Sequence, residues 1–531
     1  MRRFFWPGIT FAFFLGVFAL SFTPFEYDVW FHLKSGEIFA KLGISNYDVF
    51  SYTAAGRRWY PYEWLFQITV YWIKELFGLP AVKIFQASVG TILIYIFHLL
   101  SRRIYSVSLS LALVLSFGLF VSIYDFFSVR PGLIAHALFL GYLFILLLYV
   151  KRDRQALWVT IPITLIWANI HGTVVYAIYL SASYAGISYI NHWHRKAAVL
   201  GGLSILTAIL TLLPPIGTTQ YQLLWLFWQK RDTITNFIDE WRPLNTFALD
   251  LTPYWIATLA VGFLTMLVLI KKKQGDNWIF LLPLLPFIAA PLVAVRNLIV
   301  GYIVLYLVAA WALSKLYQIG QWGRWAVRGV SVLVVVTATV LLVAKRSPER
   351  IYLPEGAVQF LKTHHLSGNM YNGFGVGGYL LYHLYPEYKV FIDGRADVYL
   401  CCEIPDIIDF LADKNLPDSE YRARAKQFFD KYDISFVLHT TKRNTASRRL
   451  GQLLGDDPEW ALVYWGDDFQ ILVARDGKND WIIEKFGASA AKPLELAPFR
   501  EGQEEQALVE YRRMIEVADS ARSRNAIALI L

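Results

Sequence analysis

Residues 4–33 read FFWPGITFAFFLGVFALSFTPFEYDVWFHL. From Phe4 to Thr23 the run is apolar and long enough to cross a bilayer, which takes about 20 helical residues. It ends in an acidic pair, Glu26 and Asp28, with His32 one turn further on. Carboxylates stranded at a membrane boundary are costly, and charge held there serves chemistry or transport. Met-Arg-Arg precedes the run, but no small-residue cleavage site follows it. It therefore reads as an uncleaved anchor and not as a signal peptide.

The remainder of the chain agrees with a lipid solvent. Of 531 residues, 56% are hydrophobic and the mean hydropathy is +0.41, more apolar than a water-soluble protein of this size. Aromatic residues make up 16%, with 19 Trp, which suits two water–lipid belts. The net charge of +9 does not point to nucleic acid. The basic residues cluster in alternate short turns: Arg2/Arg3, Arg102/Arg103, Lys151/Arg152/Arg154, Arg195/Lys196, Lys271/Lys272/Lys273 and Lys315/Arg324/Arg328. Only Asp153 and Asp276 oppose them there, so the rest of the chain is net acidic. This is the positive-inside pattern, and it places the N-terminus in the cytoplasm. Cys401 and Cys402 are adjacent and supply no disulfide framework.

Hydropathy predicts about 11 transmembrane helices, near 4–23, 81–100, 106–123, 132–150, 156–171, 173–190, 197–213, 251–270, 278–295, 297–314 and 327–345. Residues 62–77 are also apolar, but Glu63 and Lys74 interrupt them. They are expected to lie along the outer surface, with a short extra span as the alternative. Everything after 345 then falls outside. There charge rises, and short strand-like runs at 389–392, 434–439, 460–464 and 469–474 alternate with helical patterns at 357–364, 404–412 and 422–431. The expected fold class is an α-helical polytopic membrane protein with a C-terminal soluble α/β domain. The expected domains are 1–345, transmembrane with a long first outer loop at 24–63; 346–485, an outer-face α/β domain; and 486–531, a linker and helical tail.

This topology brings particular residues to one side. The first outer loop carries Glu26, Asp28, His32, Asp48 and Glu63. Other outer turns hold Arg130-Pro131, Asn169-Ile170-His171-Gly172, Glu240-Trp241-Arg242-Pro243 and Arg296-Asn297. An arginine at a membrane mouth offers a planar fork of donors for a phosphate. Nearby carboxylates can take a proton from an attacking hydroxyl or hold a divalent cation. Together they imply a site for an anionic lipid head group and a nucleophile.

The chain resembles the GT-C class of polytopic glycosyltransferases, which use polyprenyl-phosphate-linked sugars and share an acidic motif just after the first membrane helix, here Glu26-Tyr27-Asp28. More closely it resembles a largely uncharacterised bacterial group with Asp28-Val29-Trp30-Phe31-His32-Leu33, then Gly36, Asp48-Val49-Phe50-Ser51-Tyr52-Thr53 and Tyr62-Glu63-Trp64, where Tyr62 replaces the group's His. Arg130-Pro131, Asn169 to Gly172, Glu240-Trp241, Gly377 to Leu380 and Phe391 to Arg395 extend the match over about residues 1–475. The resemblance implies that Asp28, with Glu26 beside it, is the catalytic base or the ligand of a divalent metal, Mg or Mn.

Each of these residues also has a plainer role. Asp28 can solvate a helix end, and Glu63 can mark an interfacial helix terminus. Asp48 suits capping or a turn. Arg130, Arg242 and Arg296 can pair with local carboxylates such as Glu240, and His171 can hydrogen-bond within its Gly turn. The glycines from Gly373 to Gly378 lack phosphate-loop spacing and suggest a close backbone approach. Asp393-Gly394-Arg395 suggests a local salt-bridged turn.

The expectation is an inverting glycosyltransferase of the bacterial cytoplasmic membrane, with its C-terminal domain periplasmic or extracellular. It would move a sugar from a polyprenyl-phosphate donor to an envelope glycan, lipid or protein, with no nucleic-acid partner. Asp28, Glu26, His32 and Glu63 would serve catalysis, and Arg130, Arg242, Arg296 and His171 the donor phosphate. A transporter or lipid flippase, or a non-catalytic envelope scaffold, is the alternative. The absence of a clear internal repeat, and the few charges in the predicted spans besides Lys83, argue against transport.

Overall fold

The computed structural model describes residues 2–152, 156–244, 252–271, 278–345, 351–400, 403–413, 415–441, 446–493, 498–518 and 520–531. Asp153, Arg154, Lys272, Lys273, Asp276, Cys401 and Cys402 lie outside the described residues. The chain forms two compact units. One comprises Met1–Glu26 and Pro61–Glu349, the other Tyr27–Tyr60 and Arg350–Leu531. Most of the first outer loop thus belongs with the C-terminal residues.

The first unit is helical. Among the described residues, five helices are long and apolar enough to cross a membrane: Leu79–Ile104, Pro131–Arg152, Gly172–Ile190, Val295–Tyr317 and Gln321–Lys345. Pro7–Leu20, Leu109–Ser122, Leu157–Ala168, Pro253–Val268 and Ile279–Leu292 are apolar but shorter, and the expected span 197–213 forms His194–Leu210. The expected count of about 11 therefore does not follow from length and composition alone. Proline explains part of the shortfall, since it removes a helix donor and clashes with the preceding turn. The stretch from Trp278 breaks into 3-10 turns and the short helix Leu285–Ala289, with Pro283, Pro286 and Pro291 along it.

Helix Leu298–Tyr317 forms the centre of this unit. Ile303, Val304, Leu307 and Ala310 have no exposed surface, and buried residues occupy every face of the helix, as befits a segment apolar all round. Its neighbours are Thr252–Lys271, Leu109–Ser122 and Gln321–Lys345. The last presents Val332, Leu333, Val336, Val340 and Val343 outward, the surface a lipid solvent would cover.

The second unit holds a four-stranded sheet of β1 (Asn369–Asn372), β2 (Ile434–Thr440), β3 (Trp460–Trp465) and β4 (Phe469–Ala474), in the order β1-β2-β4-β3. β1 runs parallel to β2, while β4 is antiparallel to both β2 and β3. Six successive residues of β2 are buried, so both faces of the sheet are covered. The expected helices appear as Glu355–His364, Ile404–Ala412 and Asp418–Lys431. The expected strand at 389–392 is only a single bridge, Ser51 to Val390, made with the first loop. The tail helices Glu504–Val517 and Ala521–Ile530 are anchored to this unit. Glu510 accepts the amides of Ser489, Ala490 and Ala491, and the Trp465 indole donates to Ser523 Oγ at 3.0 Å.

Candidate active site

Asp28 opens the helix Asp28–Leu42. Its carboxylate sits in the first turn, where the helix dipole favours negative charge. Asp28 and His32 occupy one face of this helix, one turn apart. Asp28 is partly exposed, whereas His32 is 2% exposed, its ring centroid 4.0 Å from that of Phe31. The helix packs on Phe374–Leu384 through glycines. A Cβ at Gly378 would lie 3.1 Å from Tyr27 O and 3.2 Å from Phe31 N, and a Cβ at Gly394 would lie 2.9 Å from Asp28 Oδ1. The glycine-rich run is thus a docking surface for the helix that carries Asp28.

A buried ionic network fixes the rest of the loop. Arg395 grips Asp393 with both arms of its fork, at 2.8 and 2.6 Å, and reaches Asp48 Oδ1 at 2.7 Å. Asp48 also accepts the Phe50 and Ser51 amides and the Ser51 hydroxyl. The guanidinium lies 4.8 Å from the ring centroids of both Phe50 and Trp59. Beside this network, Asp397 accepts the Tyr60 amide at 3.3 Å. Burial pushes the Asp397 carboxyl up to about 7, against the pull of that amide and of Arg395. Asp48 does form the expected turn, and Asp393 and Arg395 the expected local pair. Their joint contact was not legible, because nothing local links the two motifs.

In the first unit, Arg130 directly precedes the helix Pro131–Arg152, where proline suits the first position. Arg130 Nε lies 2.8 Å from Glu26 Oε2, and Nη1 lies 2.6 Å from Glu240 Oε1. Glu240 belongs to the 3-10 turn Asp239–Trp241, and Arg296 to the turn Val295–Asn297. The Val295 amide donates to Arg242 O at 2.9 Å and ties the two turns together. The Arg296 guanidinium lies 4.6 Å from the Trp241 ring centroid. Burial alone would raise the Glu240 carboxyl, but the charges of Arg130 and Arg296 and the Arg130 hydrogen bond hold it below its ordinary value.

Glu26, Arg130, Glu240 and Arg296 therefore form one polar cluster of balanced charge. His171 is within the electrostatic reach of Arg296. Its Nδ1 accepts from Thr173 N at 3.2 Å and meets Thr173 Oγ1 at 2.9 Å, so the ring caps the turn Gly172–Val174. This leaves the ring proton on Nε2. Arg242 stands apart, 3.1 Å from Asp239 and donating to Thr235 O at 3.0 Å. Glu63 immediately precedes the helix Trp64–Phe77, and its carbonyl accepts the Gln67 amide at 3.0 Å. Lys83, which the sequence reading did not single out for the site, lies 4.7 Å from the Phe25 ring centroid. Among the described residues no three His, Cys, Asp or Glu side chains converge as a cation cage. Among the described residues, the donor set expected from Asp28 and Glu26 is thus not completed by a third ligand.

The sequence matches no protein-family model and no curated protein. Its fold is similar to that of an archaeal oligosaccharyltransferase, AglB from Archaeoglobus fulgidus, solved with an inhibitory peptide and a dolichol-phosphate. The TM-score is 0.60 at 10% identity, over 85% of this chain and 72% of that one. A second oligosaccharyltransferase structure from the same organism, tethered to an acceptor peptide with an NVT sequon, gives a TM-score of 0.54 at 12% identity, over 88% and 74% of the two chains. This is the GT-C fold.

Proposed function

We propose that the protein is a membrane-embedded glycosyltransferase that takes its sugar from a polyprenyl-phosphate-linked donor and passes it to an acceptor at the outer face of a bacterial cytoplasmic membrane. The observation that carries this reading is the likeness to AglB across most of the chain. The neighbours' dolichol-phosphate and acceptor peptide match the two substrate classes.

Asp28 takes the proton of the acceptor nucleophile. The acceptor oxygen or nitrogen forms a bond to the anomeric carbon as the bond from that carbon to the phosphate oxygen breaks. A single displacement of this kind inverts the anomeric centre. The leaving polyprenyl phosphate carries the developing negative charge, and Arg130 and Arg296 balance it. Glu26 and Glu240 hold the Arg130 fork in place. His32 supports the Asp28 helix from its buried side, Glu63 assists Asp28, and His171 and Arg242 assist donor binding.

The test is sugar transfer by the purified protein from a synthetic polyprenyl-phosphate sugar to an envelope extract. Asp28→Asn should lower turnover by about 100-fold or more, the range set by loss of a general base, with the thermal transition unchanged. A rate equal to that of the parent removes Asp28 from the reaction.

A further inference from the structure

Helix Leu79–Ile104 carries basic residues near both of its ends. Lys83 and Phe25 meet near its beginning, close in sequence to Glu26. Arg102 and Arg103 lie in its last turn, both exposed. Residues 83 and 102 are about 28 Å apart at 1.5 Å per residue, close to the ~30 Å depth of a bilayer's hydrocarbon. The Arg102 end is therefore in the leaflet opposite the Glu26–Arg130 cluster.

From the middle of this helix to that end, a groove of about 800 Å³ runs between the helix that contains Pro7–Leu20, Leu79–Ile104 and the start of Leu109–Ser122. Phe11, Phe14, Ile92, Tyr95 and Leu109 line it, and among the described residues Arg102 is the charged one in its wall. Phe14 meets Tyr95 edge to face, with ring centroids 5.1 Å apart. Phe11 is 71% exposed and Ile92 is 52% exposed, so in water this surface would be costly. In a membrane it is a slot for acyl chains. The Arg102 guanidinium at its rim matches an anionic head group, as basic pockets between helices on a cytoplasmic face do.

We propose that this groove binds an anionic glycerophospholipid, with its acyl chains between the helices and its phosphate on Arg102. The site is separate from any donor or acceptor site at the Glu26 end. It does not rest on the role given to Asp28, and the assay below reads binding alone, so either reading can fail without the other.

The full chain is placed in nanodiscs of phosphatidylcholine containing a trace of phosphatidylglycerol with a photoreactive tail, and the crosslinked peptides are mapped. Label is expected on Phe11, Ile92 or Tyr95. Unlabelled phosphatidylglycerol should displace it at least about fivefold better than phosphatidylcholine, the effect of one favourable charge. Arg102→Glu should cut labelling by a similar factor, while Arg103→Glu, outside the groove lining, should not. Ile92→Trp should fill the slot and abolish labelling even if Arg102→Glu proves hard to purify. Glycerol 3-phosphate, which has the phosphate but no tails, should not compete. Equal displacement by both lipids would reduce the groove to ordinary annular contact and overturn the proposal. So would competition by glycerol 3-phosphate, or label confined to other helices.

Discussion

Arg395 shows how much one side chain can hold. Its guanidinium is 2% exposed and pairs with two carboxylates that are wholly buried. Removing one partner of a buried pair leaves an uncompensated charge, which costs about 3–5 kcal/mol. Arg395→Met should therefore lower the stability of the second unit by that order, read from denaturant unfolding of the full chain. Asp397 gives the pH dependence. Its folded value of about 7 lies above the ordinary 3.8, so in that window the folded state holds a proton that the unfolded state has released. Its contribution is fully present below the ordinary value and is lost as pH rises towards 7. Asp397→Asn keeps an acceptor for the Tyr60 amide and removes this loss. Its stability relative to the parent should rise across the window, by on the order of 4 kcal/mol, measured as thermal transitions at successive pH. The sequence disclosed part of this. Asp48 reads as a turn former and Asp393-Gly394-Arg395 as a local pair, because such contacts involve near neighbours. The pairing of Arg395 with Asp48 is set by tertiary packing and has no local signature.

Among the elements, helix Asp28–Leu42 depends most on its bed of glycines. A methyl group at Gly394 would press on Asp28 Oδ1 at 2.9 Å, and a catalytic group displaced by about 1 Å can lose about 100-fold in rate. Gly394→Ala should thus depress transfer while the unfolding midpoint moves little. A matched fall in activity and stability would mean general unfolding instead. The glycine run was legible as a close backbone approach, since it lacks the spacing of a phosphate loop. The partner helix was not legible, because it lies in the first loop, far away in the chain. Residues 389–392 look like a strand by composition yet make one bridge to Ser51. β1, four residues long, carries too short a pattern to be recognised. Apolar segments were easy to see, but their helical lengths were not, because Pro283, Pro286 and Pro291 divide one of them.

For the molecule as a whole, the alternation of basic turns predicts which ends of the first unit face which compartment. In a chain with Cys401 and Cys402 replaced by serine, Asp239→Cys should react with a membrane-impermeant thiol reagent on intact spheroplasts, and Ser108→Cys only after lysis. The reverse pattern would invert the topology. The order of synthesis adds a further consequence of the division into Tyr27–Tyr60 and Arg350–Leu531. A ribosome makes the loop first, then the entire helical unit, and only then the segment that shelters Trp30 and Phe31. At about 5–20 residues per second the interval is on the order of tens of seconds. Through that interval the nascent protein displays an aromatic hook with no seat, so a transcript cut short after residue 349 would yield a sticky, idle product, and a chaperone on the loop's side of the membrane would find its client there.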